Sequence, residues 1–284
     1  MPCYEPLFYW VRERERIRVI KEKGKPQPWT SDAILATYRF CNVRREDDRV
    51  TVWIRDNIRN RPAFAVSPFL WLMLCIARQI NWPDTLTELI DHCAWPDTTR
   101  FDFCEKMTAV LNARKERGEK VYTGAYMISA PAQKGADKQK YIAETVIGDL
   151  WKRRGGFKAS TLQGTHEWIT RSNGWGPFMA YQAVVDMRFT DLLKDAPDAA
   201  LWAAAGPGTI RGLNRVQGRP VDRPLTQGQA LSEMRAIYKI VEAETGVRMD
   251  FSDVPNILCE TDKYLRVKNG EGKPRALYVA GRGH

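Results

Sequence analysis

Two glycine-punctuated turns are the places where this chain's residue types suggest chemistry. One is Asn173-Gly174-Trp175-Gly176-Pro177-Phe178, the other Gly206-Pro207-Gly208-Thr209 followed by Arg211, Asn214 and Arg215. In each a proline occupies the first-turn position of a following helix, where its missing N–H is harmless. A Gly-x-Gly turn opening a helix aims backbone N–H groups at an anion, most simply a phosphate or pyrophosphate. The competing reading is that the glycines only let the chain turn sharply. A third group, Arg39, Asn42, Arg44 and Arg45, crowds into seven residues of Tyr38-Arg39-Phe40-Cys41-Asn42-Val43-Arg44-Arg45. It can hold phosphates bidentately, or it can pair internally with Glu46, Asp47 and Asp48.

Other constellations are thin. Three histidines leave few candidates for a triad or a multi-histidine metal site, and no metal ligands are assigned. Six cysteines without a C-x-x-C pair fit buried free thiols of a reducing compartment. No G-x-x-x-x-G-K-[ST] loop occurs. Lys plus Arg outnumber Asp plus Glu by 44 to 34, which favours a polyanionic partner such as nucleic acid. Pro6 to Val11 is too short for a signal-peptide core, and none is expected. Ala63–Ala77, the longest apolar stretch, falls short of the about 20 residues that span a bilayer, so no membrane association is expected.

The elements that must position these residues are helices. An amphipathic helix over 8–23 carries alternating charges, and Thr30-Ser31-Asp32 offers caps to a helix through Ile34, Leu35, Tyr38 and Cys41. Asn42 would close that helix, and Glu46 to Asp48 suit the first turn of another ending near Asn60. Ser67-Pro68 caps the apolar helix, and helices follow at about 84–94 and 99–117. Val121–Ile128 is the one strand-like segment, interrupted by Gly124. Residues 131–138 read as a surface loop leading to a helix that ends at Lys152. Helix 161–171, the turn 172–176 and helix 177–189 form a helix–hairpin–helix unit, with Gln182 and Asp186 stacked four apart on the last. A short helix through Trp202, a long one from the Thr226 cap to Glu244, and Val254–Val267 complete the chain. Glu260 and Lys263, three apart, make at least a surface ion pair. The chain is expected to be all-α: one domain over 1–284, with two helical lobes around a basic cleft as the variant and a flexible tail at 269–284.

The blocks Arg12-x-Arg14-Glu15-x-Ile17, Pro28-Trp29-Thr30 and Tyr38–Asp48 resemble the phage α-glutamyl/putrescinyl thymine pyrophosphorylases. That family is also described as amino acid:DNA transferases and is related to a helical domain of 5-hydroxymethyluracil DNA kinases. Tyr122–Met127, Gly176–Gln182 with Asp186, Gly206–Gly208 and Leu258-Cys259-Glu260-x-Asp262-Lys263-Tyr264 continue the resemblance, over roughly 8–268. It implies a DNA-glycosylase-like helix–hairpin–helix fold. The hairpin departs from the glycosylase pattern at Asn173, and no glycosylase lysine or aspartate has a secure counterpart.

The implied reaction transfers an amino acid, through its amine, to 5-pyrophosphoryloxymethyl-uracil in phage DNA, releasing pyrophosphate. The partners would be double-stranded DNA carrying modified thymine and a free amino acid, in the cytoplasm of an infected bacterium. No cofactor is required by the sequence, and a divalent metal accompanying the pyrophosphate is left open. On this resemblance Gly174, Gly176, Arg39, Asn42, Arg44 and Arg45 would bind DNA, and the base would be flipped out of the stack. Gly206, Gly208, Arg211 and Arg215 would hold phosphate, helped by Lys263. Asp186, Glu260 or Asp262 would accept the amine's proton, and Gln182 would read the uracil edge. The alternatives are a non-catalytic DNA-binding module of a 5-hydroxymethyluracil DNA kinase system and a glycosylase-like base-binding protein.

Overall fold

The computed structural model describes residues 2–97, 102–123, 137–272, 274 and 277–278. Its helices run α1 (Glu5–Glu22), α2 (Ala33–Thr37), α3 (Arg49–Ile54), α4 (Pro62–Ala65), α5 (Leu70–Ile80), α6 (Pro83–Asp91) and α7 (Phe103–Glu116). They continue with α8 (Lys138–Lys140), α9 (Gly148–Arg153), α10 (Leu162–Thr170), α11 (Pro177–Arg188), α12 (Pro207–Val216), α13 (Gln227–Thr245) and α14 (Val254–Lys268). No strand occurs among the described residues, and an isolated bridge joins Tyr38 to Leu277. The protein is all-α. No helix among the described residues is long and apolar enough to cross a membrane.

The chain divides into two compact units: Met1–Arg49 with Ala200–His284, and Val50–Ala199. In the first, α1 turns Leu7, Trp10, Val11 and Ile17 inward at three- and four-residue spacing, while Arg16–Glu13 and Arg18–Glu15 pairs occupy its outer face. Asp32 caps α2, its Oδ1 accepting from the Ile34 and Leu35 N–H groups at 2.8 and 2.9 Å. Thr226 and Gln229 form a reciprocal capping box at the start of α13. α12 lies unusually close to α14. A Cβ on Gly208 would overlap Cys259 Sγ, and one on Gly212 would overlap the Leu258 carbonyl.

In the second unit α5 is buried along its whole length and packs on α11. α10 and α11 are joined by a turn in which Gly174 has φ +75°. A side chain there would be strained by the backbone and would also strike Val146.

Several local expectations are corrected. α2 stops at Thr37, not Cys41, because Tyr38 onward is extended (Tyr38 φ −103°, ψ 150°) and its carbonyls find other donors. Asn42 is therefore no helix cap. The helix expected from Glu46 begins as a 3-10 turn over Arg45–Asp47 and ends as a π turn over Arg55–Arg59. The apolar helix is broken into α4 and α5 around Ser67-Pro68. The helix ending at Lys152 contains a π segment, Tyr141–Ile147, and the residues before Trp202 form turns rather than a helix. Val121–Thr123 are not strand; Gly124–Ile128, most of the loop expected over 131–138, and the end of the tail lie outside the described residues. Of the cysteines only Cys75 is buried, while Cys3, Cys41 and Cys93 are exposed.

Candidate functional site

Arg14 occupies a position in α1 that the helical register assigns to the core, and it is only 8% exposed. Its guanidinium is held by two backbone carbonyls and one side-chain amide: Nε donates to the Cys41 carbonyl at 3.0 Å, and Nη2 to the Phe40 carbonyl at 3.4 Å and to Asn42 Oδ1 at 2.9 Å. This stitches the extended strap Tyr38–Asn42 onto α1. α14 holds the same strap. Glu260 Oε2 accepts the Cys41 N–H at 3.1 Å, Lys263 Nζ donates to the Arg39 carbonyl at 2.5 Å, and Asn256 Nδ2 donates to the Asn42 carbonyl at 3.0 Å. Lys263 also pairs with Glu260 at 3.1 Å and lies 4.6 Å from the Phe40 ring centre. Asn42 closes the loop that follows, its N–H on Asp48 Oδ1 at 2.9 Å and its Nδ2 on the Asp47 carbonyl at 2.8 Å.

The strap forms one wall of a cavity of about 490 Å³, within the first unit. α1 contributes Arg14, Arg18 and Lys21; the strap contributes Tyr38, Arg39 and Phe40; Trp29, Tyr278 and Asp48 complete the part that matters chemically. Lys21 Nζ sits between two rings, 4.3 Å from Trp29 and 4.4 Å from Tyr278. Burial, aided by the charge of Arg14, pushes the Lys21 ammonium down to about 8. Burial also pushes the Asp48 carboxyl up to about 6, against the pull of the Asn42 N–H and Arg45. Arg18 is committed to Glu15 and Glu22. Lys21 and Arg39 have no carboxylate partner among the described residues. Aromatic faces, uncommitted cations and one basic carboxylate together suit an anionic, planar ligand.

The other expected site residues fall elsewhere. Arg44 is bound to Asp47 at 2.8 Å and Glu15 at 2.7 Å, and Arg45 is buried, with its N–H on Asp253 Oδ1 at 2.9 Å. Internal pairing thus holds Arg44, burial removes Arg45 from the surface, and Arg39 is exposed at the cavity. Asp262, 1% exposed, accepts Arg211 Nε at 2.9 Å and Arg215 Nε at 2.7 Å. Arg215 also reaches Glu271. Gly206 caps α12 and Gly208 faces Cys259.

In the second unit, Gly174 and Gly176 form the α10–α11 turn, whose Asn173 N–H is taken by Asp149 Oδ2 at 3.1 Å. Gln182 and Asp186 are buried on α11. Asp186 is bound through both oxygens by Arg78. Among the described residues no cluster of three or more His, Cys, Asp or Glu is arranged to hold a metal ion.

Lys21, Trp29, Asp48 and Tyr278 were not among the expected site residues, nor was Arg14. An arginine in the apolar register of α1 (Leu7, Trp10, Val11, Arg14, Ile17) was the signal available for it. Tyr278 had none, because the backbone contact of Tyr278 N–H to the Thr37 carbonyl at 2.9 Å brings it there from the far end of the chain.

An all-helical chain with a cationic, aromatic cavity built on the Arg14 and Tyr38–Asp48 blocks is the class that the fold and site define. The chain belongs to the family described as the 5-hmdU DNA kinase helical domain, whose model matches residues 1–274. A 5-hmdU DNA kinase of Bacillus phage SP10 is 30% identical over 235 residues, covering 75% of this chain and 36% of the relative. The chain thus corresponds to little more than a third of that protein's length. No solved structure matches it.

Proposed function

We propose that the chain works in the hypermodification of thymine in phage DNA, and that the cavity beside the Tyr38–Asn42 strap receives a uracil carrying a pyrophosphate ester on its 5-methylene. The amine of an amino acid attacks that methylene carbon. A C–N bond forms, the C–O bond breaks, pyrophosphate departs with the electron pair, and the nitrogen gives up a proton. The carrying observation is the cavity itself: its volume of about 490 Å³ and its lining match a base with an anionic substituent. Lys21 and Arg39 face the pyrophosphate, where developing negative charge is stabilised, and Trp29 and Tyr38 offer ring faces to the base. A base can reach such a cavity only if it leaves the duplex, at a cost of about a few kcal/mol.

The relative's name and length favour a second reading. The family is a helical domain of a kinase, the chain spans 36% of the relative, and the sequence contains no G-x-x-x-x-G-K-[ST] loop. On that reading the cavity holds the modified base for catalysis by another chain. Incubation with pyrophosphorylated 5-hydroxymethyluracil DNA and a mixture of proteinogenic amino acids, followed by nucleoside mass spectrometry, separates the two. An aminoacyl-thymidine supports the transferase. Selective retention of modified DNA without product supports the module, and release of free base refutes both.

A further inference from the structure

We propose that Asp48 is the proton acceptor of this cavity, taking the proton that the attacking amine loses; the proposal rests on the transferase reading. Three carboxylates line the cavity: Glu22, Asp47 and Asp48. Glu22 is paired with Arg18. Asp47 is paired with Arg44 at 2.8 Å and with Arg18 at 3.3 Å. Asp48 has no ion-pair partner among the described residues, and its one hydrogen bond there is the Asn42 N–H on Oδ1 at 2.9 Å. That bond fixes the carboxylate and leaves Oδ2 for a ligand.

The charged groups facing Asp48 come from three elements. Arg14 approaches from α1, Arg45 from its own loop and Glu260 from α14. None neutralises it fully. The guanidinium of Arg14 is turned to the strap carbonyls and Asn42, Glu260 repels, and Glu260 itself is held by Lys263. Burial dominates, so the carboxyl titrates near 6, more basic than an ordinary aspartate yet ionised at neutral pH. The carboxylates expected from the sequence lack this freedom. Asp186 and Asp262 are clamped by guanidinium groups, and Glu260 is clamped by Lys263 and the Cys41 N–H.

In the proposed step the amine nitrogen bonds to the methylene carbon as the carbon–oxygen bond to pyrophosphate breaks. The N–H proton passes to Asp48 Oδ2 and then to solvent. The test uses the full chain, pyrophosphorylated 5-hydroxymethyluracil DNA and the amino-acid mixture, with wild type, Asp48→Asn and Asp48→Glu compared from acid to mildly alkaline pH. The expected wild-type profile loses rate below about pH 6. Asp48→Asn is expected to lower kcat by about 100-fold or more, with the KM for DNA little changed and the acid limb gone. Asp48→Glu should recover part of the rate with a displaced limb. Wild-type kcat and an unchanged acid limb in Asp48→Asn would overturn the proposal.

If wild type forms no product, the transfer reading fails separately, and Asp48 is then tested by calorimetric titration with inorganic pyrophosphate. A wild-type-to-variant affinity ratio that changes across about pH 6 retains Asp48 as the titrating group of the cavity. A ratio independent of pH removes it.

Discussion

Arg78 and Asp186 lock together as a bidentate pair, Nε to Oδ2 at 2.5 Å and Nη2 to Oδ1 at 2.7 Å, with side chains 2% and 1% exposed. Arg78 also donates to Asn81 Oδ1 at 3.2 Å and to Thr51 Oγ1 at 2.9 Å. Removing one charge strands the other in the core, at a cost of about 3–5 kcal/mol. Asp186→Asn should therefore lower the urea midpoint strongly, while product formed per folded molecule stays near wild type. A variant as stable as wild type that makes no product would return Asp186 to the chemistry.

The α12–α14 contact makes a sharper stability prediction. Gly212 has the Leu258 backbone where a Cβ would stand, and a backbone cannot rotate away as a side chain can. Gly212→Ala should destabilise by about 1–3 kcal/mol or more. Gly228, on α13, has open space at the same atom, so Gly228→Ala should be neutral or stabilising by up to about 1 kcal/mol. Thermal unfolding of the two variants checks the pair; equal effects would refute the close approach.

The position of Asp48 also sets a pH dependence of stability. Its carboxyl titrates near 6 in the folded protein and at about 3.9 in the unfolded chain. Between those values the folded state binds more protons, so this group's contribution to stability falls as pH rises through them. Asp48→Asn removes the penalty and should stabilise the protein at neutral pH by on the order of 3 kcal/mol, with the gain vanishing near pH 4. Unfolding curves at several pH values test this. A gain that grows on acidification would contradict the sign.

Much of the fold was legible because helix signals are local. The Thr226 cap, the Asp32 cap, Pro177, Pro207 and the periodicity of α1 each act within one or two turns, and each stands where the sequence put it. The strap was not legible. Tyr38–Asn42 reads as a continuation of α2, and only donors from α1 and α14, namely Arg14, Asn256 and Lys263, make an extended course affordable for its carbonyls. The same distance in sequence hid the cavity. Arg39 could be picked out as a cation, but its counterparts Lys21 and Tyr278 lie on segments that only tertiary structure brings to it, and Asp48, in the same block, read as an internal partner of the arginines. Arg211, Arg215 and Asp262 were visible as chemistry-bearing residues, and what spacing could not show is that they bind one another.

Lys21 offers a test of the anion site that does not depend on turnover. Held between Trp29 and Tyr278 and partly desolvated, it titrates near 8, with burial the larger cause and Arg14 the lesser. The charged form binds an anion, so pyrophosphate affinity should decline as pH rises through about 8. Lys21→Met should remove a charge-assisted bond worth about 1.5–3 kcal/mol, about 10–100-fold in Kd, and erase that alkaline decline. Lys21→Arg should keep the charge, and much of the affinity, to higher pH. Isothermal titration with inorganic pyrophosphate across the alkaline range reads all three proteins. Lys21→Met binding as tightly as wild type at every pH would place the anion away from this cavity, and the function proposed for it would then lose its support.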